Sequence, residues 1–163
     1  TADAVAGSEE KYKSEGFIDY IAKPFSKDQI KEKLDNILTN QTPTNEKYLE
    51  ENNIDYKKGI ELFGSIEMYK EMLKEWYKTI NNKWEKIVTY KNNKDMTNYS
   101  IEVHSLKSDS KYFGFTKLIE LSLNHELKSK ENDIEYVNNN FIELENEFKN
   151  VCNIVNNYLN NIK

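Results

Sequence analysis

Residues 134–162 read IEYVNNNFIELENEFKNVCNIVNNYLNNI. Apolar side chains fall at Val137, Phe141, Leu144, Phe148, Val151, Val155, Tyr158 and Ile162, alternately four and three residues apart. A strand would need a period of two; steps of three and four put all of them on one face of a long helix. The asparagines and glutamates between them form the opposite, solvated face. A helix with a single apolar stripe needs neighbours to cover it, and the rest of the chain supplies them.

Just before this helix, ENDIE (131–135) is a polar turn. Before the turn, Leu118, Leu121, Ser122 and His125 share one face of another helix. Upstream again, a helix from about Asp95 to Phe113 carries Met96, Tyr99, Val103, Leu106 and Phe113, and Gly114 stops it. The next stripe back is Ile66, Tyr69, Leu73, Trp76, Ile80, Trp84 and Ile87. Ser65 in GSIE is its N-cap, with Met68 where a capping box would place Glu. Trp76 and Trp84 sit at core spacing. Four such helices on short loops predict a mainly α fold, an up-down antiparallel four-helix bundle. EKYLEENN (46–53) and DYKKGIELFG (55–64) predict short extra helices that cap one end.

A chain of 163 residues fits one domain, or one plus a fragment. The hydrophobic fraction is 37% and the charged fraction 31%, low in apolar content but above a disordered composition. A net charge of −5 without a basic stripe argues against nucleic acid. No long apolar run is available to span a membrane, and no signal peptide stands at the start. The single cysteine, Cys152, forms no internal disulfide; on an apolar helix it reads as a packed thiol, in keeping with a reducing cytoplasm. Every basic residue is lysine and asparagine is abundant, a bias expected of a low-GC bacterium. Any phosphoryl group bound here would meet lysine point charges rather than an arginine fork.

One of the two histidines, His104, lies in VHSLKSDSKYFGF (103–115). At about 100° per residue, His104, Lys107, Ser108 and Lys111 form a second stripe roughly 120° from the apolar one. These four side chains are helical neighbours, which puts His104 on an exposed flank beside two ammonium groups. One reading is a solvated face that contains a histidine. The other is nucleophilic catalysis. A neutral imidazole is a good nucleophile, and adjacent cations favour its neutral form. The same cations would offset the charge of an incoming phosphoryl group, and Ser108 is small enough to let a partner approach. No His or acidic residue joins His104 at i+3 or i+4, so no metal site is expected. His125 falls on the stripe of Leu118 and Leu121 and reads as a partly buried packing residue, not a second acceptor.

HSLKSDSKYFG (104–114) resembles the signature of the histidine-containing phosphotransfer (HPt) domain, the four-helix module of bacterial multistep phosphorelays. The family pattern is roughly H-x-L-K-G, a second Gly six residues on, then a Leu-rich helix ending in Leu-Glu. His104, Leu106, Lys107, Gly114, Leu118 and Glu126 match it. IDYKKGIELFGSIEMYKEML (54–73) resembles the family's leading segment. The likeness covers about residues 50–160. Two departures stand out: Ser108 replaces the usual Gly, and Val103 the usual Ala before the histidine. The resemblance implies His104 as phosphoacceptor, Lys107 and Lys111 as charge on the same face, and Ser108 and Gly114 in support. Lys107 is expected to be exposed, so that its loss slows transfer and leaves stability within about 0.5 kcal/mol.

The segment 1–40 resembles the last third of a response-regulator receiver, an α/β fold. Thr1 matches the switch hydroxyl, Tyr20 the aromatic that moves with it, and Lys23, followed by Pro24, the phosphate-contacting lysine. The acidic Mg²⁺ pair and the acceptor aspartate of that family are not in this chain. The expected organisation is a partial receiver at 1–40, a linker at 41–46 in LTNQTPTNEK, and the HPt bundle at 47–163. Together the two likenesses imply the C-terminal fragment of a hybrid sensor histidine kinase, the cytoplasmic tail of a membrane-anchored sensor. The implied function is to accept a phosphoryl group on His104 from one receiver aspartate and pass it to another. No cofactor is expected in this chain, with Mg²⁺ on the partner receiver, and no ATP site is visible. Two alternatives are the dimerisation and phosphoacceptor helices of a histidine kinase, and a bundle that only docks. The kinase pattern has an acidic residue directly after the histidine and a nearby proline; here Ser105 follows and no proline is near.

Overall fold

The computed structural model describes residues 44–160, with side chains from Glu46 onward. The segment read as a partial receiver, with Thr1, Tyr20 and Lys23, lies outside the described residues, as does Ile162. The described part is mainly helical: α1 (Thr44–Glu51), α2 (Tyr56–Phe63), α3 (Ile66–Asn92), α4 (Met96–Phe113), α5 (Thr116–Lys130) and α6 (Ile134–Asn160). Helix α1 begins inside the 41–46 stretch that composition marks as linker. A polar Thr-Asn-Glu run can cap and open a helix as well as precede one.

The boundaries follow local chemistry. The Ser65 hydroxyl accepts a hydrogen bond from the Met68 amide (3.1 Å) and opens α3. Asp95 does the same for α4 through the Asn98 amide (3.1 Å). An N-cap oxygen satisfies a donor that the first turn leaves unpaired. Helix α4 ends at Gly114, whose φ of 78° is left-handed. A second demand falls on the same residue. The turn between α1 and α2 crosses here: Ile54 and Phe115 form an isolated antiparallel bridge, and the Asp55 amide donates to the Gly114 carbonyl (2.9 Å). A Cβ on Gly114 would sit 2.2 Å from the Asp55 carbonyl oxygen.

The four long helices close a ring. Helix α4 packs on α3 and α5, and α6 packs on α5 and α3; α2 covers one end of the α3–α4 seam. The apolar stripes meet inside: Leu73, Ile87, Val103, Leu106, Leu118, Val137, Leu144 and Val155 are all fully buried. Trp84 stacks flat on Phe148, ring centroids 4.1 Å apart. Under α2, Phe63, Tyr69, Trp76, Phe113 and Phe115 form a connected aromatic group. Tyr69 also donates its hydroxyl to the Phe113 carbonyl (3.0 Å), one of those that α4 leaves free at its end. Cys152 is half-buried, and burial pushes its thiol up to about 11, so it is a packed thiol rather than a nucleophile. No described helix is long and apolar enough to cross a membrane.

Candidate functional site

Val103 and Leu106 lock α4 into the core at zero exposure. The helical repeat then turns His104, between them, outward: its side chain is 57% exposed. What holds the ring is not on α4. Glu126, twenty-two positions on in α5, brings its carboxylate Oε1 to 2.9 Å from His104 Nδ1. Glu126 is itself buried at 3% exposure.

A buried carboxylate needs compensation, and Glu126 has three donors. Lys107 Nζ donates to Oε2 at 2.5 Å, Lys130 Nζ to Oε1 at 2.5 Å, and His104 shares Oε1 with Lys130. Burial alone would raise the Glu126 carboxyl. The bonds from Lys107, Lys130 and His104 outweigh it and hold the group down to about 2. Glu126 is therefore ionised at neutral pH and can only accept. It follows that His104 Nδ1 carries a proton, so that in the neutral ring the lone pair lies on Nε2. The carboxylate fixes both the tautomer and the orientation of the ring.

Lys107 is not an exposed cation. Its side chain is 12% exposed and its charge is spent on Glu126, which corrects the expectation of a free lysine beside the histidine. An i, i+3 spacing shows that two side chains are neighbours, but not that a third element between them claims one. Lys111 is exposed, and among the described residues it has no ion-pair partner. Ser108 is half-buried, and its hydroxyl donates to the His104 carbonyl (3.0 Å), an i−4 bond that keeps the side chain folded against α4. Gly114 lies at the far end of α4 and supports the helix rather than the ring.

A brace from α3 flanks the site. Lys83 Nζ donates to Ser105 Oγ (2.7 Å) and to the Asp109 carboxylate, tying α3 to the turn of α4 that carries His104. Sequence periodicity gave no hint of Lys83, Asp109 or Lys130. Glu126 was one match in the family pattern, without a role. Lys83, Asp109 and Glu126 act between helices, where spacing along one helix carries no signal; Lys130 is the i+4 neighbour of Glu126 on α5, and gains a role only because Glu126 reaches His104.

His125 is more buried than its stripe implies, at 1% exposure. Its Nε2 faces the Asn140 carbonyl (3.4 Å), which can only accept, so Nε2 carries the proton. Nδ1 then accepts from the Tyr99 hydroxyl (2.8 Å). Burial lowers its affinity for a proton, and the Asn140 carbonyl only partly offsets this. His125 is a satisfied core group without an open face. Among the described residues no group of three or more His, Cys, Asp or Glu could hold a metal; Glu126 is already filled by ammonium groups.

No family model matches the chain, and neither the curated proteins nor the solved structures yield a match.

Proposed function

We propose that this chain carries a histidine phosphotransfer module, an up-down antiparallel bundle of the HPt type working in a multistep phosphorelay. The observation that carries the reading is the Glu126–His104 pair: a buried anion holds Nδ1–H on a ring that is 57% exposed, which leaves Nε2 as an outward nucleophile. The signature HSLKSDSKYFG adds the family resemblance, and the helical ring supplies the scaffold that resemblance implies.

The chemistry follows from the tautomer. The Nε2 lone pair attacks the phosphorus of a receiver's aspartyl phosphate. The new N–P bond forms as the acyl O–P bond breaks, and the electron pair leaves with the aspartate carboxylate. Positive charge develops on the imidazole, and Glu126 stands at Nδ1–H to stabilise it. The reverse sequence hands the group to a second receiver. The receivers would supply Mg²⁺ and in-line geometry, and this chain a rigid nucleophile. The setting we propose is the cytoplasmic side of a bacterial sensor system, with receiver domains as donor and acceptor.

The test is transfer from a phosphorylated receiver to the chain and to His104→Gln. Uptake that is acid-labile and base-stable, and absent from the variant, is expected. Uptake by His104→Gln would place the acceptor elsewhere. Labelling of the pure chain by Mg-ATP would favour the kinase alternative over a passive carrier.

A further inference from the structure

Glu126 Oε1 accepts from two groups at once, the His104 ring and the Lys130 ammonium. The two lysines on this carboxylate differ in freedom. Lys107 is 12% exposed and closed in on Oε2. Lys130 is 57% exposed, sits one turn beyond Glu126 on the outer side of α5, and shares the imidazole's own oxygen. Its ammonium and the ring nitrogen are neighbours across a single atom. Any group that becomes bonded to Nε2 is added on the solvent side of that neighbourhood, within the sweep of a flexible four-carbon stem.

We propose that Lys130 is a mobile counter-charge for the phosphoryl group: it rests on Glu126 Oε1 in the free protein and moves to a phosphoryl oxygen as the group arrives at His104 Nε2. The inference rests on the phosphotransfer reading and names the cation that serves it. The exchange is favourable in both directions of charge. An incoming dianion offers the ammonium a stronger partner than a carboxylate already shared with Lys107 and His104. Releasing Oε1 leaves that oxygen to the ring alone just as the imidazole becomes cationic. Lys107 stays and keeps the buried carboxylate compensated throughout. Lys111, the other lysine on the histidine's own helix face, has no such handover.

The test separates charge from structure by using two small electrophiles on the full chain. Phosphoramidate is an anionic phosphoryl donor: the Nε2 lone pair forms the new N–P bond, the donor's P–N bond breaks, and its electron pair leaves with ammonia. Diethyl pyrocarbonate is neutral and acylates the same nitrogen. Rates at His104 are read by mass spectrometry for the parent chain, Lys130→Gln, Lys130→Arg and, as a charge control on α6, Lys149→Gln, with His104→Gln as the blank. For Lys130→Gln we expect about a three- to tenfold slower phosphorylation, an exposed charge contact being worth less than a buried one. Acylation should stay at the parent rate. Lys130→Arg should recover most of the phosphorylation rate, and Lys149→Gln should match the parent. If both reactions slow together in Lys130→Gln, the residue acts only by holding the ring and the mobile-charge assignment is wrong. Equal phosphorylation of Lys130→Gln and parent also overturns it. A parent chain that acylates at His104 but takes no phosphoryl group, from phosphoramidate or from a phosphorylated receiver, overturns the phosphotransfer reading itself.

Discussion

The Glu126 carboxylate lies 2.9 Å from His104 Nδ1 and is buried while the ring it holds is exposed. On the proposed function, the group that reacts is the exposed one, and the group that orients it is closed to solvent.

Glu126→Gln should separate these roles. The amide keeps the volume but removes the anion that compensates Lys107. We expect a loss of about 1–3 kcal/mol in urea unfolding at pH 7, and on the proposed function at least a tenfold slower transfer. Unchanged transfer in a folded Glu126→Gln would disprove the orienting role.

The same carboxylate gives an acid limb with a defined sign. Its ordinary value is 4.5 and the folded group lies at about 2. The unfolded chain therefore binds this proton first as pH falls. The stability from the cluster is complete above about 4.5 and drains away between there and about 2. Unfolding free energies from pH 7 to 2 should show this slope in the parent and a shallower one in Glu126→Gln.

Lys107→Ala should cost stability and, on the proposed function, rate. With the side chain 12% exposed and bonded to a buried anion, its removal should cost about 1.5–3 kcal/mol. Lys111→Ala should stay within about 0.5 kcal/mol of the parent. Equal midpoints for the two variants in chemical denaturation would count against the network.

His125 adds a second pH effect of the same sign at higher pH. Its folded value lies below the ordinary 6.5, so the unfolded chain takes up this proton first. Stability from the neutral, buried ring is full above 6.5 and declines as pH falls toward the folded value. His125→Leu should remove that part of the slope, and Tyr99→Phe, which strands Nδ1, should cost about 1–3 kcal/mol at pH 7.

Gly64 and Gly114 both have positive φ, yet their substitutions should differ. Nothing stands within 4 Å of a Cβ on Gly64, whereas one on Gly114 would meet the Asp55 backbone. Gly64→Ala should cost about 1–2 kcal/mol for the left-handed backbone. Gly114→Ala should cost about 3 kcal/mol or more, since backbone cannot move aside as a side chain can. Thermal unfolding of the pair checks the difference.

The helices were legible because their signal is local. The three-four steps of Ile66 to Ile87 and Val137 to Tyr158 correspond to α3 and α6, and Ser65, Asp95 and Gly114 mark ends that the backbone obeys. The outward placement of His104 follows from Val103 and Leu106 in the same way. The controls on the histidine were not legible. In NHELK, Glu126 looks like one more glutamate on a solvated face, and its burial comes from α4 crossing over it. Lys83 and Asp109 stand 26 positions apart, and nothing in either helix announces the other. Spacing along one helix also misjudged Lys107, because exposure belongs to the assembled surface.

The bridge between Ile54 and Phe115 has a mechanical consequence. It clamps the chain where α4 ends, and the Lys83 brace grips the same helix beside Ser105. Helix α4 behaves as a shaft fixed at two bearings, with its azimuth set by both. A side-chain tip stands about 5–6 Å from a helix axis, so a turn of ~10° carries it about 1 Å sideways. A misplacement of that size can cost on the order of a hundredfold in an aligned displacement. On the proposed function, torsional stiffness, set partly by a backbone contact at the far end of the helix, would then govern the imidazole's reactivity as much as the groups that touch it.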